Sequence, residues 1–385
     1  MIYMDNAATT RVRGEVVQAM LPYFGEIYGN PSSVHGAGRA ARKACENARR
    51  QLAAYFGCEA REIYFTSGGS EADSWALETA AANAGGKRTL IVSAIEHKAI
   101  LNAAKGLAKR GFTVKYLPAD AQGLVDPEAL KREIDSDTFL VSVMAANNEV
   151  GALQPIDELG KIAHDCGALF HTDAVQAVSA FNWNLKNQPI DMLSLSGHKL
   201  HAPKGVGALF LRDSLPVSPL IYGGAQERGR RGGTENLSGI VGLGKAFELI
   251  GSERGEAEGK KRALAQRLLN GLKQNVDGIH INGPEGEGRV SGILNIRFDG
   301  VDGEALLFNL DLKGVCVSAG SACTSGSLDA SHVLLAMGLS REDAHRSIRF
   351  SLSRENTEEE VDQVVDITEK IVNNLRRAKR LVSEE

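Results

Sequence analysis

Short runs of apolar and β-branched residues alternate with helix-like stretches from about residue 15 to residue 215. The runs predict strands at 62–65, 89–93, 113–117, 138–144, 168–172, 192–196 and 207–211. Helix-like stretches lie between most of them, for example at 99–110, 126–134 and 156–166. Such alternation is typical of an α/β fold whose sheet is covered by helices on both faces. The link between the last two runs is too short for a crossover helix, so we expect that pair to be antiparallel in a mostly parallel seven-stranded sheet.

The hydrophobic rhythm changes in the last third of the chain. Residues 234–276 have a helical pattern throughout and are long enough to bridge two domains. After them, strand-like runs at 293–299, 315–318 and 347–352 mix with helix-like stretches at about 303–310, 331–337 and 357–377. We therefore expect a smaller α+β domain. The predicted division is a large domain over 15–256 and a small domain formed by 1–14 and 257–385.

Composition indicates which partners and which cellular compartment to expect. The 385 residues include 44 basic and 48 acidic side chains, so no basic excess is available to neutralise phosphates, and we expect no nucleic-acid partner. The cysteines are odd in number, five, and widely spaced, which favours a reducing compartment over a disulfide framework. The first residues lack an apolar signal segment, and no apolar run approaches the ~18 residues of a membrane span. We expect a cytoplasmic protein without a membrane partner.

Polar residues follow several predicted strands, where open α/β sheets bind ligands. Asp173 follows a buried run, so its carboxylate needs a cationic partner, either an arginine or a protonated pyridine ring. Gln176 lies three residues further and could donate to a phenolate oxygen. Lys199 directly follows another run; alone it would be an ordinary exposed lysine, but it is also a candidate Schiff-base lysine. Lys204 competes for that role, although it follows a proline in a predicted exposed loop.

The segment TSGGSEAD at 66–73 places glycines before a predicted helix. Gly68 and Gly69 let the backbone turn tightly and approach a ligand, and such a turn at a helix N-terminus binds anions, usually phosphate. The alternative is a plain helix cap, with Ser70 as N-cap and Asp73 in the capping-box position.

Two further strand ends carry side chains that suit a flat cofactor. His97 is aromatic and titratable, so it favours ring stacking or acid–base work, or else a structural role. Asn147 and Asn148 could orient a ring oxygen or a substrate carboxylate, or could close a turn. A phosphate cradle, a stacking ring, a carboxylate and a strand-end lysine together are what pyridoxal 5′-phosphate (PLP) requires.

The chain resembles the NifS/IscS-type cysteine desulfurases, PLP enzymes of the class V aminotransferase group, along nearly its whole length. The matching motifs are YMDNAATT (3–10), YGNPSSVH (28–35), FTSGGSEAD (65–73), EHKA (96–99), ANNEVG (146–151), HTDAVQ (171–176), SGHK (196–199), PKGVGAL (203–209), RRGGTEN (230–236), GSACTSGSLDASHVL (320–334) and SIRFSLSREN (347–356). TSGGSE stands where TSGATE is usual, and RRGGT where RRSGT or RRAGT is usual, and both retain a backbone or hydroxyl donor. The resemblance implies a fold type I PLP-transferase and a homodimer with its active site near the subunit interface.

The resemblance also implies roles for individual residues. Lys199 would hold PLP as a Schiff base, and Asp173 would pair with its pyridine nitrogen. Gln176 would contact the ring oxygen, and His97 would stack on the ring and act in catalysis. The phosphate would be held by Gly69, Ser70, Ser196 and His198, with Thr234 reaching in from the partner subunit. Asn148 would lie near the ring oxygen and the substrate carboxylate.

The substrate side of the site rests on the same resemblance. Arg349 would bind the substrate carboxylate, where the ordinary interpretation is a strand arginine in an ion pair. Cys323 would remove sulfur from L-cysteine as a persulfide, release L-alanine, and pass the sulfur to an acceptor protein for iron–sulfur cluster assembly or other sulfur transfer. The small residues around it, at about 318–330, favour a loop that carries the sulfur. The resemblance further allows Cys323 to share a transient [2Fe–2S] cluster with a scaffold protein.

Three other functions are compatible with this sequence. A PLP aminotransferase would need no thiol at Cys323, and a selenocysteine lyase would share the lysine yet tolerate loss of that cysteine. A scaffold protein with an inactive enzyme fold is the alternative from another class. Cys316 follows Val315 in an apolar run, so we expect it to be buried and inert.

Overall fold

The computed structural model describes residues 1–319 and 330–383. Its strands are, in chain order, β1 (Ile2–Tyr3), β2 (Ile63–Thr66), β3 (Thr89–Ser93), β4 (Thr113–Leu117), β5 (Thr138–Ser142), β6 (Leu169–Asp173), β7 (Met192–Ser196), β8 (Gly207–Leu211), β9 (Ile279–Asn282), β10 (Ile293–Phe298), β11 (Val315–Cys316), β12 (Ser318–Ala319) and β13 (Ser347–Ser351). Its helices are α1 (Gly14–Met20), α2 (Pro22–Gly25), α3 (Gly36–Phe56), α4 (Gly69–Ala82), α5 (Lys98–Lys109), α6 (Pro127–Glu133), α7 (Ile156–Asp165), α8 (Gln226–Gly229), α9 (Leu237–Asn275), α10 (Gly303–Leu312), α11 (His332–Ala336), α12 (Arg341–His345) and α13 (Glu358–Ser383).

The larger sheet has seven strands in the order β2-β8-β7-β6-β5-β3-β4. The strands from β7 to β4 pair in parallel, and β8 is antiparallel to both of its neighbours. The antiparallel pair β7–β8 confirms the expectation drawn from its short connection. The mostly parallel seven-stranded sheet is likewise confirmed.

Helices cover both faces of this sheet because successive strand residues point to opposite sides. On one face, Ile91 and Phe170 join a core formed with α3, α7 and the first part of α9. On the other face, Leu90 and Leu140 pack with α4 and α5. The strands therefore read as continuous apolar runs, as expected for strands that are buried on two sides.

A smaller antiparallel sheet in the order β12-β13-β10-β9 has its own core with α10, α13 and the last part of α9. Helix α9 contributes Leu243 to the core of the large sheet and Leu268 to the core of the small one, so it spans the two cores, as its length predicted. The domain boundaries proposed above stay a prediction. The elements β9, α3 and α12 were not predicted from the sequence.

The N-terminal segment links the small sheet to the strand ends of the large sheet. Ser351 N–H donates to the Met4 carbonyl at 2.7 Å, and Asn6 N–H donates to the Ser351 carbonyl at 3.1 Å. A few residues later, Thr10 N–H donates to the carbonyl of His198 at 2.9 Å. Residues 5–10 are thereby held across the carboxyl edge of the large sheet, where the candidate site lies.

Candidate active site

One cavity of about 310 Å³ opens at the carboxyl ends of the large sheet, which is enough for a small cofactor and an amino acid. It is lined by ten of the residues singled out in the sequence: Gly69, Ser70, His97, Asn148, Asp173, Gln176, Ser196, His198, Lys199 and Arg349. Residues from six separate segments of the chain meet there because parallel strands end at the same edge.

The N-terminus of α4 forms one wall of the cavity. Gly69 and Ser70 begin this helix of 14 residues, and Ser196 at the end of β7 lies beside them. A methyl group on Gly69 would lie 2.9 Å from Val175 Cγ2, so the backbone approaches its neighbours too closely for a side chain. The positive end of a helix dipole with exposed N–H groups suits a phosphate. The structure corrects the capping interpretation, because Gly68 is the N-cap and makes no side-chain cap bond.

Lys199 ends a short 3₁₀ turn directly after β7. Its Nζ donates to the carbonyl oxygens of Ala7 at 2.6 Å and Ala8 at 2.7 Å, so the N-terminal segment fixes the amine inside the cavity. The neighbouring His198 contacts the Thr9 hydroxyl at 3.1 Å, and burial together with the charges of Lys199 and Lys204 lowers its pKa to about 4. Lys204 itself is exposed and does not line the cavity, so of the two candidate lysines it is Lys199 that lies at the site.

Three carboxyl groups, those of Asp73, Glu96 and Asp173, are buried beside the lysine. Burial raises the pKa of all three, and the charge of Asp173 raises those of Asp73 and Glu96 further. The pKa of Glu96 rises to about 8. Asp73 Oδ1 is buried without a hydrogen-bond partner among the described residues. A protonated pyridine ring beside Asp173 would favour the charged form of its carboxyl, which burial otherwise disfavours.

Asp173 and Gln176 are each oriented by the backbone. Asp173 ends β6, and its Oδ1 accepts the N–H of Val175 at 2.8 Å. The amide nitrogen of Gln176 donates to the Ala7 carbonyl at 2.8 Å. The anion cradle, the lysine, the buried carboxylate and this amide together fit PLP.

His97 caps α5 and lines the cavity. Its Nδ1 accepts the N–H of Ala99 at 3.2 Å, so this nitrogen carries no proton. Between the two candidate asparagines, Asn147 closes a turn, because its Oδ1 accepts the N–H groups of Glu149 at 2.9 Å and Val150 at 3.0 Å. Asn148 is the one that lines the cavity.

Arg349 lies on β13 and reaches the cavity from the small sheet. Its guanidinium is 2% exposed, donates to Asp5 Oδ1 at 2.9 Å and donates to the Asn148 carbonyl at 2.9 Å. Its Nε is buried and has no hydrogen-bond partner within residues 1–319 and 330–383. A planar cation held in this way suits a carboxylate ligand. Arg349 is also a strand arginine in an ion pair, with Asp5, which was the alternative interpretation of this residue.

Three sequence expectations fall outside this arrangement. Thr234 is exposed and does not line the cavity of its own chain. Cys323 lies outside the described residues. Cys316 is only half-buried, which corrects the expectation that it is buried, and its pKa is raised by burial and by neighbouring acidic charge.

Four functional candidates were missed in the sequence: Asp73 as a buried acid, Glu96, Glu149 and His332. Asp73 was interpreted as a helix-capping residue, and Glu96 was not considered because the adjacent His97 was the candidate in that segment. Glu149 is buried and accepts a short hydrogen bond from Ser331. His332 lines the cavity although it lies 133 positions from Lys199. All four lie inside motifs shared with the cysteine desulfurases, and that membership is the sequence feature that could have identified them.

Two features are absent from residues 1–319 and 330–383. No helix is both long and apolar enough to cross a membrane. Within the same residues, no group of three or more His, Cys, Asp or Glu side chains could hold a metal ion.

The fold and the cavity define a PLP-dependent transferase, and comparison with known proteins refines that class. The aminotransferase class-V family model matches residues 2–364. Cysteine desulfurase IscS of Methanosarcina thermophila is 48% identical over 385 residues, which is 100% of this chain and 95% of that protein. Cysteine desulfurase 2 of Trichormus variabilis is 50% identical over 375 residues, or 97% of this chain and 94% of that protein.

Solved structures agree with these relatives. A NifS-like protein superposes with a TM-score of 0.91 at 42% identity and covers 97% of this chain and 100% of its own. A NifS-like protein from Rickettsia africae superposes with a TM-score of 0.87 at 34% identity, with 97% and 99% covered. The chain belongs to the class-V aminotransferase family, in its NifS/IscS-type cysteine desulfurase branch. The family is PLP-dependent.

Proposed function

We propose that this protein is a cysteine desulfurase, which takes sulfur from L-cysteine and leaves L-alanine. The observation that carries the proposal is the placement of Lys199 and Arg349 in one cavity. A lysine that would hold the cofactor aldehyde, with which a substrate amine reacts, and an arginine that can bind a carboxylate match the two ends of a free α-amino acid. The full-length similarity to proteins named cysteine desulfurase supports cysteine as that amino acid.

The proposed cofactor contacts come from the family resemblance, and the cavity supports them because every residue named for them except Thr234 lines it. Lys199 would hold PLP, Asp173 would pair with its pyridine nitrogen, Gln176 would contact its ring oxygen and His97 would contact its ring. The phosphate contacts are Gly69, Ser70, Ser196 and His198, with Thr234 supplied by a second copy. When bound, PLP supplies an electron sink for charge that develops at the substrate α-carbon.

The chain's own residues then perform three tasks. Arg349 and Asn148 orient the substrate carboxylate, because the guanidinium is already held by Asp5 and by the Asn148 carbonyl. Lys199 moves the proton at the α-carbon, and His97 is the second acid–base candidate beside the ring. Cys323, as a thiolate, would form a bond to the substrate sulfur while the carbon–sulfur bond of the substrate breaks, which leaves a persulfide on Cys323. The electron pair of the broken bond stays with the substrate carbon, which takes up a proton and becomes the methyl group of L-alanine.

We further propose a homodimer. Thr234 is exposed and lies outside the cavity of its own chain, which supports a role in a partner's cavity. Large apolar side chains near the N-terminus are also exposed, namely Leu21, Phe24, Tyr28 and Val34, and Tyr222 precedes the Thr234 segment. Exposed apolar side chains of this size are typical of an association surface.

The remaining proposals concern the fate of the sulfur. The acceptor is an iron–sulfur scaffold protein or another sulfur-transfer protein, and Cys323 is the candidate for a transient [2Fe–2S] ligand shared with a scaffold. The relatives named IscS support this reading. The absence of a disulfide among Cys45, Cys58, Cys166 and Cys316 is consistent with the proposed cytoplasmic setting.

The test replaces each reactive residue in turn. Cys323→Ala should retain the yellow absorbance of bound PLP and lose sulfide and persulfide formation from L-cysteine, whereas Lys199→Ala should lose the normal absorbance. Cys316→Ala is the matched control and should keep full turnover. Full desulfurase turnover by Cys323→Ala would refute the mechanism. Equal rates of the Cys323→Ala protein and the unmodified protein on selenocysteine would favour a selenocysteine lyase instead.

A further inference from the structure

His332 is the first residue of α11, and it lines the same cavity as Lys199 and Arg349. Two adjacent contacts hold it there. Its Nε2 lies 2.9 Å from the Glu96 carbonyl oxygen, and the hydroxyl of Ser331 donates a short hydrogen bond to Glu149. The start of α11 is therefore attached to the two strand-end segments that carry His97 and Asn148.

The contact with Glu96 determines the tautomer of His332. A carbonyl oxygen only accepts hydrogen bonds, so the proton of a neutral His332 ring is on Nε2. Burial lowers the pKa of His332, and the positive charges of Lys98, His97 and Lys105 lower it further. The ring is thus neutral near pH 7, and Nδ1 presents an unprotonated lone pair.

That lone pair has no partner among residues 1–319 and 330–383, although Nδ1 is buried. The neighbouring segments are held by other contacts: Glu96 Oε1 accepts from Ser93 at 2.5 Å and from Met144 N–H at 2.7 Å, and Arg349 donates to Asp5 and to the Asn148 carbonyl. A buried acceptor without a donor is costly, so a donor supplied by a ligand would stabilise the site.

We propose that Nδ1 of His332 accepts a hydrogen bond from the thiol of L-cysteine and is a substrate-binding residue that selects for the thiol. This inference rests on the proposed function. A cysteine whose carboxylate contacts Arg349 and whose amine faces Lys199 extends its side chain within the same cavity. The thiol is a donor at neutral pH, and the positive charges nearby keep His332 an acceptor.

The test measures ligand binding without turnover. In a Cys323→Ser background, the absorbance of bound PLP is titrated with L-cysteine and with L-alanine, which lacks only the thiol. His332→Gln keeps an amide donor near the position of Nε2 and removes the acceptor at Nδ1, whereas His332→Asn places an amide oxygen near Nδ1. Ser331→Ala is the matched control, because it loosens the same segment without touching the ring.

His332→Gln should weaken L-cysteine binding about threefold or more and leave L-alanine binding unchanged, as expected for the loss of one hydrogen bond. His332→Asn should retain more of the preference for L-cysteine, and Ser331→Ala should affect both ligands alike. The affinity of PLP for the cofactor-free protein should be the same in all His332 variants. Equal weakening of both ligands by His332→Gln, or no weakening of L-cysteine, would overturn the inference.

A second readout follows the ring itself. In protein labelled with ¹⁵N-histidine, the unprotonated Nδ1 signal of His332, assigned by its loss in His332→Gln, should shift with L-cysteine and not with L-alanine. A shift with both ligands would contradict thiol recognition. Failure of the proposed function is distinguishable, because the unmodified protein would then release no sulfur from L-cysteine, whatever the His332 variants bind.

Discussion

Arg49 and Glu227 form a buried ion pair that joins α3 to the segment leading towards Thr234. Arg49 Nη2 lies 2.7 Å from Glu227 Oε1, and the two side chains are 4% and 3% exposed. Glu227 Oε2 also accepts the Phe65 N–H at 3.1 Å. Glu227 and Arg228 both adopt positive φ, 44° and 60°, which non-glycine residues disfavour. The ion pair therefore stabilises a strained turn.

Glu227→Gln should lower the free energy of unfolding by about 3 kcal/mol, because it removes the buried partner of Arg49 and leaves only the more exposed Glu46 as a counter-charge. The exposed pair Arg110–Glu78 provides the control, and Glu78→Gln should cost less than about 1 kcal/mol. Urea unfolding of the PLP-loaded proteins measures both. Similar losses in the two variants would contradict the role given to the buried pair.

Glu96→Gln should flatten the dependence of stability on pH. Glu96 has a pKa of about 8 in the folded protein against an ordinary value of 4.5, so folding takes up a proton between these values. Its contribution is fully favourable below about pH 4.5 and is lost as the pH rises through 8. Between pH 5 and 8 the free energy of unfolding should fall less steeply with pH in the variant than in the unmodified protein. The two slopes should differ by about 1.4 kcal/mol per pH unit.

Urea unfolding at several pH values, with saturating PLP throughout, provides the comparison for Glu96. Parallel curves for the variant and the unmodified protein would mean that Glu96 is ionised in both folded and unfolded states.

Arg349→Lys should raise the KM for L-cysteine about tenfold and retain the absorbance of bound PLP. Lysine keeps the charge but loses the planar fork that contacts Asp5, Asn148 and the substrate carboxylate together. Arg297→Lys, on the adjacent strand β10 and away from the cavity, is the control. An unchanged KM in Arg349→Lys would assign Arg349 to the ion pair alone.

Gly69→Ala should weaken PLP binding about tenfold. The added methyl group would lie 2.9 Å from Val175 Cγ2, and Val175 N–H is the group that orients Asp173. Gly106→Ala in α5 is the control, because nothing lies within 4 Å of its new methyl group and alanine favours the helix. Titration of the cofactor-free proteins with PLP measures the affinity, which should be unchanged in Gly106→Ala.

Much of the fold was predictable from local pattern. The strands β3, β7 and β8 coincide with their apolar runs, since they are buried along their whole length. The edge strand β4 also coincides with its predicted run, although Thr113 and Tyr116 are exposed. The strand β9 was missed because it is short and its sequence IHIN mixes exposed and buried positions. Helix α3 was missed because its buried side is built largely from alanines, which give a weak hydrophobic signal.

The site was predictable as a set of residues, and its internal contacts were not. Residue type and position after a strand suffice to nominate Asp173, Lys199 and His97, because ligand sites recur at that edge of the sheet. Nothing in the local sequence indicates that the carbonyls of Ala7 and Ala8 hold Lys199.

The sequence by itself determined the elements, the mostly parallel sheet and the chemical inventory of the site, because periodicity and residue type are local properties of the chain. The tertiary structure decided which residues share the cavity. Asp73 is a buried acid instead of a helix cap, and His332 lines the same cavity as Lys199, because tertiary packing brings distant positions of the chain together. Contacts between such positions depend on packing, and packing has no signature within a short stretch of sequence.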